Sequence, residues 1–300
     1  MTVSVIIPSY QGATKIVHIL ESLSNQKANL FEIIVIVDGS TDNTIELLSG
    51  NYFKGLVKII EQTNKGRAGA RNAGAKLSSG ELLIFYDDDM VPEVDSVGKH
   101  IQFHQNHSRA ILTGNSPQKP ASGESDFVRY RASISLKWTS DATYEGDLVL
   151  LQKHNLFMTA ANCSLRKSVF QYLNGFDELL RDAEDKELAI RAHKLGIPIY
   201  FDKGNLAFHK EIQTCRSYIS RLRQYAVANK IVNELHPEFA PRPRKVSGYH
   251  KVIYRFLASS LWILIIDHFN VFVLLPREWR YKFYDAVTFA SSEVYPERHI

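Results

Sequence analysis

"ELLIFYDDDMVPEVD", residues 81–95, runs from an apolar, strand-like stretch directly into three carboxylates, Asp87, Asp88 and Asp89. Adjacent like charges repel, so the triplet needs bulk solvent, a helix N-terminus or a cation beside it. Comparable apolar runs flank this one: "TVSVIIP" (2–8), "FEIIVIV" (31–37), "LVKIIEQ" (56–62) and "AILTG" (110–114). Between them lie helix-like stretches near 13–25, 42–49, 67–77 and 93–106, the last with Pro92 at or near its first turn. This alternation predicts βαβ units and an α/β fold, a mostly parallel sheet flanked by helices. Ligands in such sheets bind beyond the carboxyl ends of the strands. The loops to inspect are therefore "PSY" after the first strand, "DGSTDN" after the second, "NKGRAG" after the third and "DDD" after the fourth.

With 300 residues, 45% apolar and 23% charged, the chain can bury a sizeable core in one large domain, or in one plus an appendage. Its two cysteines, Cys163 and Cys215, stand far apart, which gives neither a disulfide framework nor a zinc spacing and fits a reducing, cytoplasmic setting. "MTVSVIIPSY" has no basic n-region or small-residue cleavage site and reads as a first strand. The net charge of +4 is uneven: residues 210–255 hold ten Lys or Arg against three Glu, so the remainder of the chain is acidic.

Residues 116–150 show no clear periodicity and read as an insertion or long loop, the kind of segment that often forms a lid. A helix over 183–195 would place Asp185 on one face with Leu188, Ala189 and Ala192, pointing inward, while Glu187 and Arg191 pair four residues apart. Three prolines within 236–245 suggest a linker. "NKGRAGARNAGA" lacks the G-x-G-x-x-G spacing of a dinucleotide-binding loop and follows the third strand rather than the first. There is no Walker lysine, nucleophile elbow or H-E-x-x-H.

Several of these stretches, "VSVIIPSYQG", "EIIVIVDGSTDNT", "NKGRAGARNAGAKLSSGELLIFYDDDM", "NCSLRKSVFQYLNGFDE" and "AEDKELAIRAHKLG", resemble in order and spacing the motifs of family 2 glycosyltransferases of the GT-A fold. The resemblance covers about residues 3–235. It implies that Pro8, Ser9 and Tyr10 pack against the nucleotide base, that Asp38 hydrogen-bonds the base, and that Arg67 contacts base or phosphate. Asp87 and Asp89 match the outer positions of the D-x-D element, Asp87 near ribose and metal and Asp89 as direct ligand. Asp88 matches its variable middle position, is placed with the nucleotide-sugar-binding residues and is expected to tolerate change. His209 matches a histidine that completes the metal site, with Mn²⁺ or Mg²⁺ as the cation. Asp185 matches the general base, with Glu184 as the fallback. Each has a structural alternative: Asp38 as a turn acid, Arg67 as a solvated helix residue, Asp185 as a helix cap, His209 as a packed histidine, the triplet as an N-cap with spare acids.

The segment 254–279, "YRFLASSLWILIIDHFNVFVLLPREW", has eleven uncharged residues before Asp267 and His268 and eight after them. A bilayer span needs about 20 apolar residues, and a central Asp costs about 2.5–3.5 kcal/mol on insertion scales. Flanking Arg242, Arg244, Lys245, Lys251, Arg255, Arg277, Arg280 and Lys282 favour a segment lying in the membrane interface, the alternative being a packed helical subdomain or dimer contact. Aromatics here sit in apolar runs rather than among the basic residues, which argues against nucleic acid.

The expected organisation is a catalytic domain over 1–235, with a nucleotide-binding half at 1–115 and an acceptor-binding half at 116–235. A linker at 236–247 and a helical, membrane-associating segment at 248–300 complete it. The expected function is metal-dependent, inverting transfer of a sugar from a nucleotide-diphosphate sugar, foremost a UDP-sugar. The hydroxyl acceptor would be a saccharide or lipid-linked, in cell-surface polysaccharide or glycolipid synthesis at the cytoplasmic face of the membrane. Competing readings are a non-catalytic sugar-nucleotide-binding protein, a polyprenol-phosphate glycosyltransferase and a nucleotidyltransferase.

Overall fold

The structure, a computed structural model, describes residues 1–28, 31–50, 56–118, 124–140, 146–210, 213–241, 247–269 and 271–299. The chain divides into two units, Met1–Pro117 with Thr139–Glu211 and Gln118–Trp138 with Ile212–Ile300. In chain order the elements are β1 (Val3–Ser9), α1 (Ile16–Ser24), β2 (Phe31–Asp38), α2 (Thr44–Ser49), β3 (Val57–Gln62), α3 (Gly66–Leu77), β4 (Leu82–Tyr86), β5 (Met90–Pro92), α4 (Ser96–Asn106) and β6 (Ile111–Asn115). There follow α5 (Asp126–Ser140), β7 (Leu148–Leu150), β8 (Asn162–Arg166), α6 (Lys167–Tyr172), α7 (Glu184–Lys194), β9 (Ile199–His209), α8 (Cys215–Leu235), α9 (Gly248–Leu257), α10 (Ser260–His268) and α11 (Arg277–Phe289).

The first unit is built on a sheet of order β3-β2-β1-β4-β8-β6-β9-β5, with β7 also paired to β9. β3, β2, β1 and β4 are mutually parallel, and β8 enters antiparallel between β4 and β6. Alternate side chains feed two cores: Ile6, Leu83 and Phe85 join one, while Val5, Ile7, Ile84 and Tyr86 join the other. Every residue of β1 and β4 is buried, the pattern of parallel strands covered on both faces. Each fully buried Ile, Leu or Phe contributes about 1.5–3 kcal/mol. α3 lies close on this sheet because its inner face is small: a Cβ on Gly74 would stand 2.5 Å from Ile6 Cγ2.

Two local expectations change. Pro92 does not start a helix; it closes β5, where Met90, Val91 and Pro92 face His209, Phe208 and Ala207 of β9. β5 is the last strand of the order, and an edge position tolerates a residue without an N–H. The stretch 116–150 contains α5, whose Phe127, Val128, Tyr130 and Ala132 are all buried. Apolar contact on several sides leaves no single stripe for periodicity to reveal. Residues 119–123 and 141–145 lie outside the described residues.

The second unit joins α5 to the C-terminal helices. Phe127 and Tyr130 pack with Cys215, Ile219, Ile263, Ile266, Tyr284 and Val287. Asp126 accepts a hydrogen bond from the Tyr284 hydroxyl at 3.0 Å and pairs with Arg280 at 3.3 Å. By this packing α8 groups with α9–α11, and the two units divide at 211 and 212; of the expected linker, 242–246 lie outside the described residues. Asp267 accepts from the backbone N–H groups of Cys215 and Arg216 at 2.6 and 3.1 Å, which accounts for a carboxylate inside an apolar run. Among the described residues no helix is long and apolar enough to cross a membrane.

Candidate active site

The nucleotide-facing candidates lie at the ends of β1 and β2. Pro8 and Ser9 finish β1, buried, and Tyr10 follows with half of its surface exposed. Gln11, at φ +49°, ties this loop to the "DGSTDN" loop: its Oε1 accepts from the N–H groups of Thr41 and Asp42, and its Nε2 donates to Thr41 Oγ1. Asp38 ends β2 and is buried. Its Oδ1 accepts from Gln62 Nε2 at 2.7 Å and Lys65 N at 2.8 Å, and its Oδ2 from Gly66 N at 2.8 Å. A carboxylate there satisfies otherwise unpaired N–H groups and complements the positive end of α3.

The three aspartates diverge, and each meets a different partner. Asp87 Oδ1 accepts from Arg71 Nη2 at 2.5 Å, while Arg71 Nη1 pairs with Glu184 Oε1. Burial favours the neutral form of Asp87, but Arg71, and Arg67 after it, outweigh burial and hold the carboxyl well below its ordinary range. Asp88 turns toward β1, accepting from Ser9 Oγ at 2.8 Å with Lys15 Nζ 3.5 Å away. Here burial prevails over Lys15 and Ser9, and the carboxyl is pushed up to about 6. Asp89 faces His209, with Oδ2 and Nδ1 3.4 Å apart. The middle aspartate has the least exposed side chain of the three.

α7 supplies the remaining acids. Ala183, left-handed at φ +60°, turns the chain into the helix. Glu184 is buried on Arg71, and Asp185 is half-buried, with Oδ2 accepting from Ala160 N at 3.3 Å and Oδ1 from Lys186 N at 2.7 Å. Burial, with Glu184 adding like-charge repulsion, pushes the Asp185 carboxyl up to about 6 against the pull of Arg71. Leu188, Ala189 and Ala192 are buried as the spacing predicts, and Arg191 Nε lies 2.7 and 2.8 Å from the two carboxylate oxygens of Glu187. Arg67 reaches Asp182 Oδ1 at 3.2 Å.

Sequence reasoning missed Arg71, which is only 2% exposed. It also missed Lys15 and Asp182. The signal for Arg71 was its register: it lies three residues after Ala68 and four before Ala75, on the buried face of α3. Among the described residues no group of three or more His, Cys, Asp or Glu is arranged to hold a metal ion.

Residues 4–173 match the model of glycosyl transferase family 2, and the chain belongs to that family. It is 29% identical over 220 residues to validoxylamine A glucosyltransferase of Streptomyces hygroscopicus subsp. jinggangensis, covering 65% of this chain and 52% of that one. To the O-antigen chain rhamnosyltransferase RfbN of Salmonella typhimurium it is 24% identical over 224 residues, covering 74% and 70%. The chain spans about half of the first of these relatives and under a third of two others. The mannosyltransferase PcManGT from Pyrobaculum calidifontis, solved with GDP-Man and Mn²⁺, superposes with a TM-score of 0.63 at 14% identity, covering 99% of this chain and 88% of that one. The fold is therefore the expected GT-A α/β arrangement.

Proposed function

We propose that this chain transfers a sugar, with inversion, from a nucleotide-diphosphate sugar to an acceptor hydroxyl, in the synthesis of a cell-surface polysaccharide or glycolipid. One observation carries the reading: Arg71 binds Asp87, at the carboxyl end of β4, and Glu184, next to Asp185. The D-x-D carboxylate and the candidate base are thereby held in one network. Asp185 Oδ takes the acceptor proton as the oxygen attacks the anomeric carbon. A carboxyl pushed up to about 6 is ionised at neutral pH yet basic enough to accept that proton. A single displacement inverts the anomeric centre. Asp38, by ordering the start of α3, and Tyr10, by its exposed ring, frame the region assigned to the base.

A divalent cation is proposed on Asp89 and His209, and the pair fits one. Their carboxylate oxygen and imidazole nitrogen stand 3.4 Å apart, so both would hold one ion placed between them. Mg²⁺ and similar ions are held by one or two carboxylates plus substrate phosphates, so a full protein cage is not required. Asp87, engaged by Arg71, is assigned to orienting rather than to direct ligation. When bound, the ion supplies charge neutralisation for the departing diphosphate. The relatives' names and the Mn²⁺ and GDP-Man of the mannosyltransferase support this reading. The test is a panel of UDP-, GDP- and dTDP-sugars followed by thermal shift with and without Mn²⁺, since a ligand bound to the native state raises Tm. A metal-dependent rise with at least one sugar nucleotide is expected; no shift with any of them overturns the proposal.

A further inference from the structure

We propose that the second unit docks on an anionic lipid surface through α9, the turn Val271–Leu274 and the start of α11. α9 buries none of its residues, although Tyr249, Val252, Ile253 and Phe256 recur with the spacing of one apolar helix face. Tyr249 is 76% exposed, Leu274 93% and Trp279 68%. α9 is tied to the rest of its unit through Phe256, whose ring stands 5.3 Å from that of the half-buried Trp262, itself 6.4 Å from Phe272. Large side chains this exposed, on elements that pack against one another, mark an interaction surface.

Charge decides what covers it. Exposed Lys251 and Arg255 share α9 with the apolar face, and exposed Arg277 and Lys282 lie on α11. Of the two acids in 247–283, Asp267 is spent on the first turn of α8 and Glu278 alone stands exposed. Arg242, Arg244 and Lys245 immediately precede α9 in sequence. Basic residues beside an apolar face with Trp and Tyr suit the headgroup layer of an anionic bilayer, where rings sit at the interface and cations meet lipid phosphates. A two-fold contact between copies would instead bring this cationic face against itself. The interaction is independent of the proposed glycosyl transfer.

The full chain is tested by co-sedimentation with phosphatidylcholine vesicles and with equimolar phosphatidylcholine and phosphatidylglycerol vesicles. Binding is expected to the anionic vesicles and not to the neutral ones. Phe256→Asp combined with Leu274→Asp should weaken partitioning at least tenfold, and Lys251→Gln or Arg255→Gln about fivefold each. All these sites are exposed, and unchanged thermal melts establish that the variants fold. No binding to anionic vesicles overturns the proposal, as does equal binding to neutral ones. A lipid-free wild-type dimer dissociated by Phe256→Asp also overturns it, assigning the face to a second copy.

Discussion

At the scale of single residues, the site turns on how buried charge is compensated. Arg71 is enclosed by two carboxylates, so Arg71→Met leaves Asp87 and Glu184 without their cation. Breaking a buried pair costs about 3–5 kcal/mol, measurable as a lower midpoint in urea unfolding, and Arg71→Met with Glu184→Gln should recover part of it. Asp185 has the opposite problem, too little compensation, and this suits a base. Asp185→Asn should lower kcat about 10²–10⁴-fold while the thermal shift with sugar nucleotide persists. On the proposed mechanism the working form is the ionised one, so wild-type kcat should fall as pH drops through about 6, and it should do so tenfold per unit below that. Both residues show what a linear reading supplies: the spacing pointed Asp185 inward, whereas the partnership of Arg71 with acids 16 and 113 positions away depends on three elements meeting.

At the scale of elements, α4 and β8 share a polar seam within the core. His100 bonds to Ser164 Oγ at 2.7 Å and Asn162 Oδ1 at 2.9 Å, and His104 bonds to the same Ser164 at 2.9 Å. Burial pushes His100 down to about 3 and His104 down to about 4, below the ordinary 6.5, so both are neutral in the fold. As pH falls from 6.5 toward 4 the unfolded chain takes up protons that the folded chain refuses, and stability is lost. The loss should amount to about 2–5 kcal/mol across that window. His100→Gln with His104→Gln should flatten the curve in denaturation series run at successive pH values. Asp88 and Asp185, with raised values, contribute in the opposite sense, so the difference between wild type and variant isolates the histidines. Periodicity located α4, but β8 and its facing Ser164 lie 60 residues onward, beyond the reach of a local pattern.

At the scale of the whole molecule, the division of the chain into units has its own consequence. A chain ending at Leu235 would keep α5 and α8 but lose Ile263, Ile266, Tyr284 and Val287, the residues that complete their core. Such a truncation should bind a hydrophobic dye more strongly than the full chain and lose helix content on mild heating. The sequence alone determined the strand and helix alternation of the first unit, the polar loops at its strand ends and the inward face of α7, because each rests on short-range period and composition. It also carried the family motifs in order. Only the tertiary structure decided that Pro92 closes an edge strand, that α5 joins the C-terminal helices, that Asp267 caps α8, and that the three adjacent aspartates separate toward Arg71, Lys15 and His209. The physical reason is common to all four. A charge, a proline or a helix buried on several sides takes its role from whatever the folded chain brings against it, and those partners lie tens of residues away.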